Sequence, residues 1–276
     1  MSNHDYEVLD NDIKNIDKYW DIAIGLQKVD NLEPSKYLIE LKEKNIKRIL
    51  SNEEIENLLY KKYETETLEE KESRQKECDI VANRMVEILS SKGNFRLIPD
   101  NFALYHGILF KGVFDQLKEK YVGRFRDYNI SKKEPILNGA SVIYSDYREI
   151  KTTLEYDMRS EREINYLELD KHEVVDNIAS FTSRIWQVHP FCEGNTRTTA
   201  IFIEKHLNQM GFSIDNEMFL KYSKYFRNAL VRANYYNIEK SIKSDDTHLK
   251  KFFVNLLYAG TYDLKNEDLI IDDLFV

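Results

Sequence analysis

The chain has 276 residues, with 48 acidic and 40 basic side chains and a formal net charge of −8. That length suits one large domain, or a core with an appended subdomain. The acidic balance excludes a sequence-wide basic footprint for nucleic acid, and no stretch approaches the ~18 continuous apolar residues of a membrane span. The first residues, Met1-Ser2-Asn3-His4-Asp5, lack the basic and apolar regions of a Sec signal peptide. Two cysteines, Cys78 and Cys192, do not make a disulfide framework. A cytoplasmic location is expected, with a secreted effector as the alternative.

Nine glycines and four prolines are few breakers for a chain of this length, so the fold class expected is all-α. Residues 11–26 are predicted as an amphipathic helix, followed by a break at Asn31–Pro34 and two short helices at 35–46 and 52–63. The charged stretch 66–91 is periodic, with Leu68, Ile80, Val81, Met85 and Ile88 facing inward, and is predicted as one long helix. Ser90–Asn94, containing Gly93, is the expected boundary between an N-terminal helical region, 1–94, and a core, 95–258. Further helices are expected near 100–119, 147–158, 169–188, 195–210, 216–233 and 246–258. Alternation at Tyr128–Ser131 and Ala140–Tyr144, around Pro135 and Asn138-Gly139, predicts a single β-hairpin. An acidic tail, 259–276, carries a Leu-Ile-Ile cluster and is expected to dock as a strand or helix.

One short stretch concentrates the chemistry. Residues 189–197 read His-Pro-Phe-Cys-Glu-Gly-Asn-Thr-Arg and fall between two apolar-periodic segments, as a tight loop between helices. Pro190 discourages helix at His189 and so ends the preceding helix. His189 has the titration range of a general base, although a helix-capping histidine is an equal reading of that residue alone. Glu193 suits Mg²⁺, which takes one or two carboxylates plus substrate phosphates. Gly194 lets backbone approach a phosphate. Asn195 tolerates a left-handed turn and offers an amide donor. Arg197, in the first turn of the next helix, brings a guanidinium fork to a helix N-terminus that already favours anions. Phe191 is the expected apolar peg of the loop.

This string resembles the signature of the Fic (Fido) domain, His-Pro-Phe-x-(Asp/Glu)-Gly-Asn-Gly-Arg-x-x-Arg. His189, Pro190, Phe191, Glu193, Gly194, Asn195 and Arg197 match it. Leu104–Phe110 and Gly123-Arg124-Phe125-Arg126-Asp127 are similar to the stretch before that family's β-hairpin flap, and the resemblance covers roughly residues 95–258. It implies a helical core with a small flap and transfer of AMP from ATP, with Mg²⁺, to a Tyr, Ser or Thr hydroxyl of a target protein. His189 would then be the base and Glu193 the metal ligand. Gly194, Asn195 and Thr196 would line the phosphate cradle, and Arg197 would hold the β-phosphate. Asn138, Gly139, Ala140 and Ser141 would be the flap that clamps the target. Asn234, with Tyr225 or Phe226, would border the nucleoside.

Two positions depart from the pattern. Thr196 stands where the family has glycine, and Ala200 stands where the second arginine would be. The resemblance also implies an inhibitory (Ser/Thr)-x-x-x-Glu-(Gly/Asn) helix. Glu56, in Asn52–Asn57, is the nearest candidate, but a capping box of Ser51 and Glu54 explains that stretch without function. Expected partners are a target protein with an exposed hydroxyl, the chain itself among its 18 tyrosines, and an antitoxin-like regulator. No membrane or nucleic-acid partner is expected. The alternatives are a Doc-type kinase, another phospho-group transferase on the same cradle, and a helical interaction module without catalysis.

Overall fold

A computed structural model describes residues 11–64, 69–91, 93, 95–212, 214 and 217–271, with no side-chain description for 11–14. The expectations for the first residues, for Leu68 and Asn94 and for a helix start at 216 fall outside that range. The described chain is built of helices: α1 (Asn11–Gln27), α2 (Lys36–Ile46), α3 (Asn52–Lys62), α4 (Glu70–Ser90), α5 (Pro99–Phe110), α6 (Gln116–Glu119), α7 (Ile150–Arg162), α8 (Lys171–Val188), α9 (Asn195–Gln209), α10 (Glu217–Asn234) and α11 (Thr247–Tyr258).

Local chemistry sets many of the ends. Ser51 and Glu54 form the expected capping box at α3, and Asp170 and Glu173 form another at α8. Pro99 opens α5 from its first turn, where no intrahelical N–H is needed. Helix α10 buries Phe219, Ser223, Phe226 and Leu230, a three-to-four-residue spacing that makes one inward face.

The pair α8–α9 forms the frame, with α5 and α4 packed on α9, and α7, α10 and α11 packed on α8. Helix α1 lies against both α4 and α10, so the N-terminal helices share one apolar cluster with the rest. Gly25 permits this contact: a Cβ there would stand 2.4 Å from the Leu220 Cα and the Phe219 carbonyl oxygen. A larger residue would force α1 away from α10.

Two expected elements differ. The helix expected over 100–119 stops at Phe110, because Gly112 takes a left-handed turn (φ +71°), and only the short α6 follows. The hairpin is an irregular double arm rather than a pair of strands. Among the described residues the one isolated β-bridge joins Asn237 to Ile242, elsewhere in the chain. The arms meet at a 3₁₀ turn, Pro135–Leu137, closed by left-handed Asn138 and Gly139 and by the Glu134 N–H donating to the Ala140 carbonyl at 2.9 Å. Beyond the turn, where Gly139 N–H also donates to the Glu134 carbonyl at 3.0 Å, the arms bond to side chains. The Tyr128 and Ser145 carbonyls accept from Arg126, and Lys132 N–H donates to Ser141 Oγ. The described part of the tail, to Ile271, docks here: Leu269 is buried and Ile271 N–H donates to the Ile136 carbonyl at 2.9 Å.

Candidate active site

The loop between α8 and α9 begins at His189, which takes a left-handed conformation (φ +47°) rare for a residue with a Cβ. Such strain persists only where the surroundings enforce it. Here the enforcing group is Arg126, a guanidinium 2% exposed. It donates to the carbonyls of His189 (2.8 Å) and Val188 (3.2 Å), while its own backbone N–H donates to Pro190 (2.8 Å). The same side chain reaches Tyr128 and Ser145, so one residue ties the loop to both arms. Arg126 belongs to the Gly123–Asp127 motif, whose role the sequence alone did not separate from the general resemblance.

The rest of the loop is equally fixed. Phe191 is the buried peg, its ring stacked 3.9 Å from the His106 imidazole. His106 Nε2 donates to the Glu193 carbonyl at 3.1 Å, and its Nδ1 accepts from Gly123 N–H at 2.9 Å. Burial pushes the His106 pKa down to about 3, which keeps this strut neutral. Gly194 is left-handed (φ +72°), and a Cβ there would meet the Phe110 ring at 2.5 Å. Close approach to an aromatic ring, as well as any approach to phosphate, therefore requires glycine at this position.

The His189 ring lies 4.1 Å from the Tyr144 ring and edge-on to Trp186. Its Nδ1 faces the Trp186 carbonyl at 3.4 Å, which favours a proton on Nδ1 and leaves the Nε2 lone pair free. The residue is 8% exposed, and the ring opens into a cavity of about 180 Å³. Burial, and then the nearby Lys132 charge, push its pKa down to about 3. The imidazole is therefore neutral across physiological pH.

That cavity gathers His189, Cys192, Glu193, Gly194, Asn195 and Thr196 from the sequence motif. It adds Asp30, Ser131, Lys132 and Arg227, which the motif does not contain. Glu193 keeps its carboxylate at the rim, 3.4 Å from Lys118 Nζ. By helix geometry the first N–H groups of α9 have no intrahelical acceptor and carry the positive end of its dipole. A larger groove, about 580 Å³, adjoins the cavity and shares Asp30, Lys132, Glu193 and Arg227 with it.

Several expected roles do not match the geometry. The Asn195 side chain is consumed by the loop: it accepts from Phe191 N–H (2.9 Å) and donates to the Phe191 carbonyl (2.8 Å). Only its backbone remains for an anion. Thr196 Oγ1 accepts the Trp186 indole N–H at 3.0 Å, so its extra hydroxyl serves packing. Asn234 bonds to the Leu230 and Ser183 carbonyls and lines a separate pocket with Arg184 and Asp246. Tyr225 pairs with His248, and Phe226 is core. Of the flap residues Asn138, Gly139, Ala140 and Ser141, none lines the cavity; the first arm, at Ser131 and Lys132, does so instead.

Arg197 differs most. Its guanidinium is fully buried and away from the cavity, paired with Glu77 (2.6 Å) and Asp30 (2.9 Å), bonded to Gln27, and set over the Phe110 ring. Glu56 is not its partner; Glu56 pairs with Arg84 at 2.7 Å. The acid that reaches the motif arginine is Glu77, on α4. A signal for it existed, since Ser73-Arg74-Gln75-Lys76-Glu77 has the hydroxyl-x-x-x-Glu spacing, with Cys78 in the last position. Asp30 had no such signal. Ala200 is also buried, so no side chain there reaches the loop.

Among the described residues no group of three or more His, Cys, Asp or Glu side chains is placed to hold a metal ion. No described helix is long and apolar enough to cross a membrane. Both cysteines are free; Cys78 is buried and Cys192 half-buried.

Comparison with known proteins fits this architecture. Residues 97–207 match the Fic/DOC family, a shorter span than the 95–258 expected from the sequence. A comparison with curated proteins gives no match. The N-terminal Fic domain of Bep8, a VirB-translocated effector from Bartonella sp. 1-1C, aligns with a TM-score of 0.53 at 16% identity, covering 70% of this chain and 88% of that one. BepC from Bartonella tribocorum, solved with bound AMPPNP, aligns at 0.50 and 19% identity, covering 70% and 93%. At these identities the likeness is one of fold. The match identifies a Fic domain at residues 97–207 of this chain.

Proposed function

We propose that this chain transfers AMP from ATP to a Tyr, Ser or Thr hydroxyl of a target protein. The observation that carries the reading is the neutral His189 imidazole, held with Nε2 free beside the N-terminus of α9. In the proposed reaction the target hydroxyl oxygen attacks the α-phosphorus, its proton passes to His189 Nε2, and the bond to pyrophosphate breaks. Positioning and charge neutralisation supply most of the acceleration in such transfers. The α9 N–H groups meet the phosphate oxygens, and Arg126 holds the base in register by fixing the loop backbone. Negative phosphates beside His189 raise its proton affinity from the low value of the empty cavity, as an opposite charge does for any imidazolium.

Mg²⁺ suits the donors present. Glu193 offers an accessible carboxylate at the cavity rim, and Asp30 a second on the same wall. A small hard cation of this kind takes one or two carboxylates and completes its shell with phosphate and water. Bound there, it would neutralise charge on the donor phosphates. The 180 Å³ cavity suits a phosphate group, and the nucleoside extends into the adjoining 580 Å³ groove.

Intact mass after incubation with Mg²⁺ and ATP, alone and with cell lysate, tests the reading. Addition of one adenylyl group to the chain or to a lysate protein, lost in His189→Ala, is the expected result. Addition of a single phosphate identifies a kinase instead. No addition and no nucleotide binding identify a non-catalytic helical module.

A further inference from the structure

The cavity at His189 adjoins the N-terminus of α9, whose unpaired N–H groups favour an anion, yet the motif arginine does not line it. Arg197 is fully buried, ion-paired with Asp30 and Glu77 and bonded to Gln27, and of this group only Asp30 lines the cavity. Ala200 contributes no polar atom. The cationic side chains that line the cavity are Lys132 and Arg227. Arg227 comes from α10, outside the segment matched to the family.

Arg227 is anchored on one edge and open on another. Its Nη2 donates to both Glu134 carboxylate oxygens (3.0 and 2.7 Å), and Nη1 makes one long bond to Asn228 at 3.4 Å. Those contacts leave Nε–H and one Nη1 proton uncommitted. Glu134 is fully buried in the first arm and does not line the cavity. The carboxylate thus fixes the guanidinium from a position outside the cavity that Arg227 lines. The same residue also lines the larger groove, at the junction through which a polyphosphate would run. Lys132 is exposed at that junction and has no side-chain partner among the described residues.

We propose that Arg227, backed by Glu134 and assisted by Lys132, is the polyphosphate-binding arginine of this protein, in place of Arg197 and of the arginine absent at Ala200. The inference rests on the transferase reading for its ligand, a nucleoside triphosphate, but its anion claim stands on the cavity alone. A guanidinium pre-positioned by a buried carboxylate loses little freedom on binding phosphate, which favours it over a free surface lysine.

Calorimetric titration with AMPPNP and with inorganic tripolyphosphate, both with Mg²⁺, tests this on the full chain. Removing Arg227 alone would strand the buried Glu134 carboxylate, so the comparison is made in a Glu134→Gln background. Glu134→Gln is expected to bind both probes at least as tightly as wild type. Glu134→Gln/Arg227→Met is expected to lose roughly tenfold to hundredfold in affinity for both, the usual range for a charged hydrogen-bond partner. Glu134→Gln/Arg227→Lys should recover part of that loss, which a packing role would not produce. Unchanged affinity in the Met variant overturns the proposal. If wild type binds tripolyphosphate but not AMPPNP, the nucleotide reading fails and the anion site stands; if it binds neither, both fail.

Discussion

His189 sits at a helix end in a left-handed conformation, surrounded by Tyr144, Trp186 and the carbonyls of its own loop. The consequence is a shifted titration. Burial is the larger cause, and it disfavours the imidazolium, so the pKa moves from 6.5 down to about 3. Since kcat/KM reports ionisations of free enzyme and free substrate, no acidic limb from this residue is expected between about pH 5 and 8. A pH profile of kcat/KM with Mg²⁺ saturating checks this. A limb centred near pH 6.5 would contradict the burial argument. The turn that carries this residue was legible from nine consecutive residues, because Pro190 and Gly194 mark a break between two helices by local chemistry. Its environment was not legible. Tyr144 lies 45 positions before it and Arg126 63 before it, and nothing local encodes which distant ring or guanidinium a loop will meet.

At the scale of elements, α1 and α4 grip α9 through a single guanidinium. Two acids, Asp30 just after α1 and Glu77 within α4, neutralise Arg197, and Arg74 partly balances Glu77 at 3.0 Å. Removing one acid leaves Arg197 paired with the other. Removing both leaves a buried charge with no counter-ion, a change that costs about 3–5 kcal/mol. Glu77→Gln is therefore expected to lower the unfolding free energy by about 1 kcal/mol, and Asp30→Asn/Glu77→Gln by about 3 kcal/mol or more. Denaturant unfolding of the two variants checks this, and equal losses would contradict the two-acid arrangement. Periodicity located most helices, with α8 and α10 showing an apolar face at helical spacing and α8 a capping box as well. It failed at the flap, where alternation over 128–131 and 140–144 is the pattern of a strand pair. The arms instead bond to Arg126, Ser141 Oγ and the tail, partners whose competition with a ladder is set by tertiary structure. Glu56 was displaced by Glu77 for the same reason: one face of α3 meets Arg84, and only the packed α4 shows which glutamate faces α9.

The whole molecule carries a net charge of −8, yet cationic side chains gather beside the loop between α8 and α9. Arg74, Lys132, Lys133, Lys224 and Arg227 border the groove with Asp30 and Glu193, while Arg74 also pairs with Glu77 and Arg227 with the buried Glu134. An acidic chain that concentrates cations at one opening attracts anionic ligands there and repels them elsewhere. The cations come from the N-terminal region, the flap and α10, so the groove exists only when all three are packed together. The tail helps to hold that arrangement. Its Ile271 N–H bonds to the flap turn at Ile136, and Asn266 meets Asn228 beside Arg227 at 2.8 Å. The central claim, that His189 drives attack at an α-phosphorus, is tested most directly by the position of a label. With Mg²⁺, a target-containing lysate and ATP labelled either at the α- or at the γ-phosphate, wild type is expected to leave α-label on protein and release γ-label, with no transfer by His189→Ala. Protein-bound γ-label without α-label, or α-label transfer that survives His189→Ala, would contradict it.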